Sequence, residues 1–160
     1  MPRIILPESL TVAIRSHGER AYPHECCGVL AGALGGDVRK VTEIHPLTNL
    51  REKENAAKFI EIATGESSAN RYLIDPAEQM RVERDLTKRG LDALGFYHSH
   101  PNVAARPSKY DLDHAWPFYI YVIVSVRQGQ PAEAGKSAEM TAWLLRDDRS
   151  AFDSVEISTV

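Results

Sequence analysis

Two histidines stand two apart in the run Gly95-Phe96-Tyr97-His98-Ser99-His100-Pro101. If this run is a strand, alternate side chains share a face, so both imidazoles point the same way. Imidazole nitrogen is a preferred zinc donor, and two at close range make half of a tetrahedral site. Asp111 follows in a predicted short helix and offers an oxygen ligand. Three protein ligands leave a fourth position for water, which is the catalytic rather than the structural pattern. The chain has only two cysteines, Cys26 and Cys27, too few for a thiolate-rich structural site. The spacing also allows a second reading. Ser108-Lys109-Tyr110-Asp111 has the form of a capping box, with Ser108 as N-cap and Asp111 reaching back. On spacing alone, capping is the better account of those two residues, and a single histidine in a strand usually packs or hydrogen-bonds.

The elements that must position these residues are read from periodicity and from chain breakers. After Pro7 a helix is expected over 8–22, ended by Tyr22-Pro23 because the residue before proline leaves the helical region. The apolar run Cys26–Leu34 reads as a buried strand, Gly35-Gly36-Asp37 as a hairpin turn, and Val38–His45 as its partner. Ala57–Ala63 is expected to be a strand and Thr64–Asn70 a loop tip. Asp75-Pro76 opens a helix that runs to near Gly90. Ala93–His98 is a strand, Ser108–Ala115 a short helix, and Phe118–Val126 a central strand, rich in β-branched and aromatic residues. Gln128–Ser137 is a turn region, and Ala138–Leu145 another strand. This order predicts an α/β (α+β) layered domain with a single mixed, largely antiparallel sheet flanked by helices. One domain is expected over 1–160, with 146–160 as a last strand or tail.

Bulk properties narrow the function. A chain of 160 residues can bury a core without staples. The net charge of -3 and the scattered basic residues give no nucleic-acid arm and no polybasic membrane patch. No apolar run reaches the ~20 residues of a membrane span, and MPRIILPESL lacks the layout of a signal peptide. Adjacent cysteines cannot form an ordinary long-range disulfide. A reducing, cytoplasmic setting is expected.

The run His98-Ser99-His100, then PNVAARP, then Ser108-Lys109-Tyr110-Asp111 resembles the JAMM signature of the MPN+ metallopeptidases, which is H-x-H, seven residues, then S-x-x-D. That family places a glutamate upstream, often followed by x-C-G, and here Glu25-Cys26-Cys27-Gly28 precedes the strand VLAG. The similarity runs from the first predicted helix to about Leu145 and is greatest to small stand-alone prokaryotic members. It implies a JAB/MPN-type, cytidine-deaminase-like fold and one zinc ion per chain held by His98, His100 and Asp111. It implies Glu25 as general base on a zinc-bound water, and Ser108 as the hydroxyl that steadies the oxyanion. It further implies cleavage of a peptide or isopeptide bond at the C-terminal tail of a ubiquitin-like protein of the sulfur-carrier type, by a monomer or homodimer. A glycine tail of that kind is expected to pair in extended form with a strand edge, with Asn102–Arg106 and Thr48–Asn70 as walls.

Alternatives are a non-catalytic MPN-type scaffold, whose members typically lack part of the ligand set, and a peptidase of small amino-acid conjugates. A deaminase-like zinc hydrolase is disfavoured because P-C-x-x-C is missing. Among neighbouring residues, Cys26 is expected in the core and Cys27 to pack as a small hydrophobe on the site's face. Ser99 is expected to face away from the histidines. His24 and His114 are read as peripheral, His17 and His45 as carrying no signal, and Asp113 as solvated. Trp116, Phe118 and Tyr119 are expected in the core.

Overall fold

The fold is taken from a computed structural model that describes residues 2–50, 72–130 and 135–159. Seven strands form one ring: β1 (Arg3–Ile5), β2 (Cys27–Gly35), β3 (Val38–Leu47), β4 (Asp92–Pro101), β5 (Ile120–Gln128), β6 (Gly135–Leu145) and β7 (Phe152–Ser158). Their order around it is β1-β3-β2-β4-β5-β6-β7, closed by β1 against β7. Among the described residues three helices accompany the ring: α1 (Glu8–Ala21), α2 (Pro76–Lys88) and α3 (Lys109–His114). The expected mixed α+β architecture is present. The short strand β1, which periodicity leaves unassigned, converts the expected sheet into a closed ring. The expected strand Ala57–Ala63 and loop Thr64–Asn70 lie outside the described residues.

Local chemistry sets the element ends. Gly36 takes φ of 61° in the β2–β3 hairpin, a left-handed turn that suits glycine. Asp75 accepts the Ala77 N–H at 2.9 Å and Pro76 follows it, so α2 starts where its cap sequence says. The central strand begins at Ile120 rather than Phe118, because Trp116–Tyr119 runs along the surface.

Alternation along the strands splits the core in two. Leu30 of β2, Tyr97 of β4, Ile120, Val122, Val124 and Val126 of β5, and Ile14 of α1 belong to one cluster. Cys27 and Val29 of β2, Phe96 of β4, Tyr121 of β5 and Leu86 of α2 belong to the other. Phe96, His98 and His100 share a face by the two-residue period of a strand. The histidine pair therefore belongs to the second face, at the carboxyl end of β4. There β4 lies parallel to β5, pairing His98 with Ile123 and His100 with Ser125. The crossover between those strands carries α3, so the fold delivers the chain to Asp111 directly above the histidines.

Candidate metal centre

His98 and His100 are buried, 1% and 5% exposed, and their Nε2 atoms lie 3.2 Å apart. Asp111, 7% exposed, places Oδ1 3.2 Å from His98 Nε2 and Oδ2 3.2 Å from His100 Nε2. Donor atoms on a tetrahedral ion at bond lengths of ~2.0–2.1 Å stand roughly 3.3 Å apart, so these spacings fit a shared divalent ion. Glu25, 4% exposed, completes the surroundings: one of its carboxylate oxygens and one nitrogen of each imidazole lie within 4.8 Å of one another.

The hydrogen bonds orient this set. His100 Nδ1 lies 3.0 Å from the Ala104 carbonyl, which accepts only an N–H. The neutral ring then presents a bare Nε2 lone pair to the centre, the tautomer a metal needs. Two imidazole nitrogens and a carboxylate facing each other at 3.2 Å require a cation or protons between them. His98 Nδ1 is buried and has no hydrogen-bond partner among the described residues, and the ring of Tyr72 stacks on His98 at 4.7 Å.

Electrostatics agree. Burial works against the Asp111 carboxylate, but His98 and His100 outweigh it and hold its pKa well below the usual range. Burial likewise disfavours charge on His100, yet the hydrogen bond and charge of Asp111 raise its pKa above the ordinary value.

Asp111 satisfies both sequence readings at once. Its Oδ2 accepts the Ser108 N–H at 2.9 Å, and Ser108 Oγ accepts the Asp111 N–H at 3.1 Å, so the capping box is present. The same carboxylate faces the histidines, because capping turns it toward the helix N-terminus and the end of β4. Ser108 Oγ accepts that one bond and keeps its proton for donation. Ser108, His100 and Glu25 meet in one cleft of about 510 Å³.

Supporting residues explain the motif's context. Cys26 N–H donates to Ser99 Oγ at 2.8 Å, and Ser99 N–H donates to the Cys26 carbonyl at 3.2 Å, which clamps the Glu25 segment beside β4. Ser99 thus faces away from the histidines, as expected. Asn49, 3% exposed, donates to the Glu25 carbonyl at 2.9 Å. Burial pushes the Cys26 thiol up to about 12, which makes it a packing residue and no nucleophile. Cys27 pairs with His98 in the ladder and packs in the second cluster, its thiol near the Leu47 carbonyl. The loop after His100 is tied to β6: Trp143 Nε1–H donates to Thr141 Oγ1 at 2.8 Å, and that hydroxyl donates to the Ala105 carbonyl at 2.5 Å.

Trp116 and Phe118 are not in the core. They are 65% and 51% exposed, and each ring lies beneath a guanidinium, Arg149 at 5.6 Å and Arg39 at 4.7 Å. Cation–π contact holds them on the surface. Phe118 takes φ of 90°, a backbone geometry an L side chain rarely adopts, while Arg39 donates to its carbonyl. Tyr119 is half-buried against Phe96. Trp116 and Phe118 border a groove of about 670 Å³ that Tyr72 and Ile74 also line. Tyr72 therefore links that groove to His98, and nothing in its sequence neighbourhood signals this. His114 stacks on Tyr110 at 4.0 Å, one turn from Asp111 and outside the histidine cluster.

Comparison with known proteins agrees with this geometry. Residues 7–152 match the family of prokaryotic homologs of the JAB domain. The chain is 38% identical to the desampylase of Haloferax volcanii, over 77% of this chain and 81% of that protein. It is 34% identical to the CysO-cysteine peptidase of Mycobacterium tuberculosis, over 78% and 74% of the two chains. A probable TtuB-protein conjugate cleaving protease of Thermus thermophilus is 31% identical, over 78% and 73%. A solution structure of a Desulfitobacterium hafniense protein superposes with a TM-score of 0.72 at 32% identity, covering 96% of this chain and 90% of that one. The chain belongs to the prokaryotic JAB-domain branch of the JAMM/MPN+ metallopeptidases. Among the described residues no helix is long and apolar enough to cross a membrane.

Proposed function

We propose that this chain is a zinc peptidase that cuts the bond after the C-terminal tail of a ubiquitin-like protein of the sulfur-carrier type. The observation that carries the chemistry is the donor set: two imidazole nitrogens and a carboxylate spaced 3.2 Å apart, with the Glu25 carboxylate beside them. His98, His100 and Asp111 hold one zinc ion per chain. Bound there, zinc supplies Lewis acidity and makes water acidic enough to ionise near neutral pH. Glu25 takes the proton of the attacking water and returns it to the leaving amine. Ser108 donates its hydroxyl to the oxygen that becomes negative as the carbonyl turns tetrahedral, a contact worth roughly 3 kcal/mol in related sites.

The substrate class rests on the relatives. Their names describe a desampylase, a CysO-cysteine peptidase and a protease of TtuB conjugates. The aromatic groove across Tyr72 suits the apolar surface of a folded carrier, and the cleft suits its extended tail. The ring pairs every strand on both sides, so the expected edge for the tail is only partial. β1 covers Val38–Lys40 of β3, and the rest of β3, to Leu47, lies beyond it. The enzyme works as one domain over 1–160 in the cytoplasm, with no nucleic-acid or membrane partner.

A test is metal analysis together with mass spectrometry of carriers extended by one residue or joined to lysine after their Gly-Gly tail. Zinc near one equivalent and release of the bare tail are expected. A well-folded protein that cannot be loaded with zinc, or loaded protein that cuts no such carrier, sinks the reading.

A further inference from the structure

The cleft at Glu25, His100 and Ser108 has a second wall, made by the loop between His100 and α3. That loop is pinned along its length. Asn102 N–H donates to the Val126 carbonyl at 2.7 Å, and the Ser125 hydroxyl donates to the Val103 carbonyl at 2.8 Å. Ala105, fully buried, donates its N–H to Glu139 at 2.9 Å and accepts the Thr141 hydroxyl. Arg106 comes next. Its own N–H closes on the Ala104 carbonyl at 2.8 Å, and Pro107 behind it disfavours the helical region.

A fixed backbone thus presents a side chain that nothing else uses. Arg106 is exposed and lines the cleft, and among the described residues its guanidinium has no hydrogen bond or ion pair. Arg3, Arg20, Arg81 and Arg84 also have no such side-chain contact among the described residues, but none of them lines this cleft. Among the described residues, it is the one lysine or arginine lining this cleft. A planar five-donor fork held at the mouth of a reaction cleft matches a carboxylate in two parallel bonds.

The chemistry of the bond then says which carboxylate. A Gly-Gly tail has no side chains and no charge before cleavage. On the leaving side, a single amino acid carries its carboxylate carbon about 2.5 Å from the scissile nitrogen. A lysine side chain joined through its ε-amine carries no charge there. We infer that Arg106 is a carboxylate-recognition residue that reads the free α-carboxylate of a single amino acid leaving the tail. It biases the site toward trimming one terminal residue over cutting an isopeptide. This rests on the proposed cleavage after a glycine tail.

The test uses the full zinc-loaded chain and three fluorescent peptides with one carrier-type tail. One ends Gly-Gly-Ala as the free acid, one as the carboxamide, and one joins Gly-Gly to the ε-amine of a capped lysine. The wild type is expected to prefer the acid over both others by ten- to a hundredfold in kcat/KM, mainly through KM, the size of a charged hydrogen bond. Arg106→Ala brings the acid-to-amide ratio to about one, and Arg106→Lys keeps part of it. Fluorescence anisotropy of the uncut acid and amide on Glu25→Gln protein, with and without Arg106→Ala, gives a readout free of turnover and should show the same loss of preference. Cleavage of none of the three by loaded wild type speaks against the tail reading, while the anisotropy still decides for or against Arg106. Equal handling of acid and amide in both readouts, or a preference that survives Arg106→Ala, overturns the inference.

Discussion

Asp111 carries two duties with one carboxylate. Oδ2 accepts the Ser108 N–H while facing His100, and Oδ1 faces His98. Substitutions can separate them. Asp111→Asn keeps an acceptor for the cap and loses the charge, so zinc affinity should fall at least about a hundredfold with stability nearly kept. Asp111→Ala should lose the affinity and about 1 kcal/mol of cap as well. Unchanged zinc binding in Asp111→Asn removes this residue from the ligand set. Glu25→Gln should retain zinc, since three other donors remain, while turnover falls on the order of a hundred- to ten-thousandfold. Metal analysis beside initial rates checks both, and a fully active Glu25→Gln chain sinks the general-base role. Sequence made this much legible because strand period and cap spacing are local rules. Arg106 and Tyr72 were not legible: one matters by lacking a partner and the other by stacking on His98, and neither fact has a local signal.

At the scale of elements, the site depends on how closely β2 and β4 approach. Gly28 stands opposite Tyr97 in the ladder, and an added Cβ would fall 2.2 Å from that ring. Tyr97 is fully buried and its hydroxyl lies 2.8 Å from His17 Nδ1 of α1, so the ring cannot swing away. The glycine that follows the cysteines is therefore a packing requirement of β4, not a part of the chemistry. Gly28→Ala should cost about 1–3 kcal/mol in urea unfolding. A change under ~0.5 kcal/mol shows that the ring has room to move. His17, which carried no signal in the sequence, proves to be the residue that ties α1 to this strand. Its importance arises from a contact eighty positions away, beyond the reach of any periodicity. Trp116 and Phe118 misled for a related reason, since arginines distant in sequence hold them at the surface.

For the whole molecule, metal and proton compete for one buried centre. Burial alone would keep His100 neutral, but Asp111 wins and raises its pKa. The metal-free protein therefore holds a proton there to higher pH than the ordinary imidazole value of about 6.5. Zinc must displace it, so affinity should rise as pH climbs through and above that value and fade toward acid. Calorimetry at pH 7 in buffers of different ionisation enthalpy should show net proton release on zinc binding. Zinc affinity that does not fall as the pH is lowered through and below that imidazole value removes His100 Nε2 from the ligand set. Zinc at a hundred times its Kd should stabilise the fold by about 2.7 kcal/mol, and a chelator should remove that gain. The α+β plan was readable from element order. The closure of the ring was not, because β1 is three residues long, too short for any alternation to show.

The strut from Trp143 through Thr141 to the Ala105 carbonyl gives this protein a built-in optical probe. The chain has two tryptophans, and they watch different places. Trp116 emits from the rim of the aromatic groove, and Trp143 has its indole N–H wired to the loop that bears Arg106. With Trp116 replaced by phenylalanine, the remaining fluorescence follows that loop alone. Any ligand that loosens the strut should then shift the Trp143 emission, read in real time and without a label.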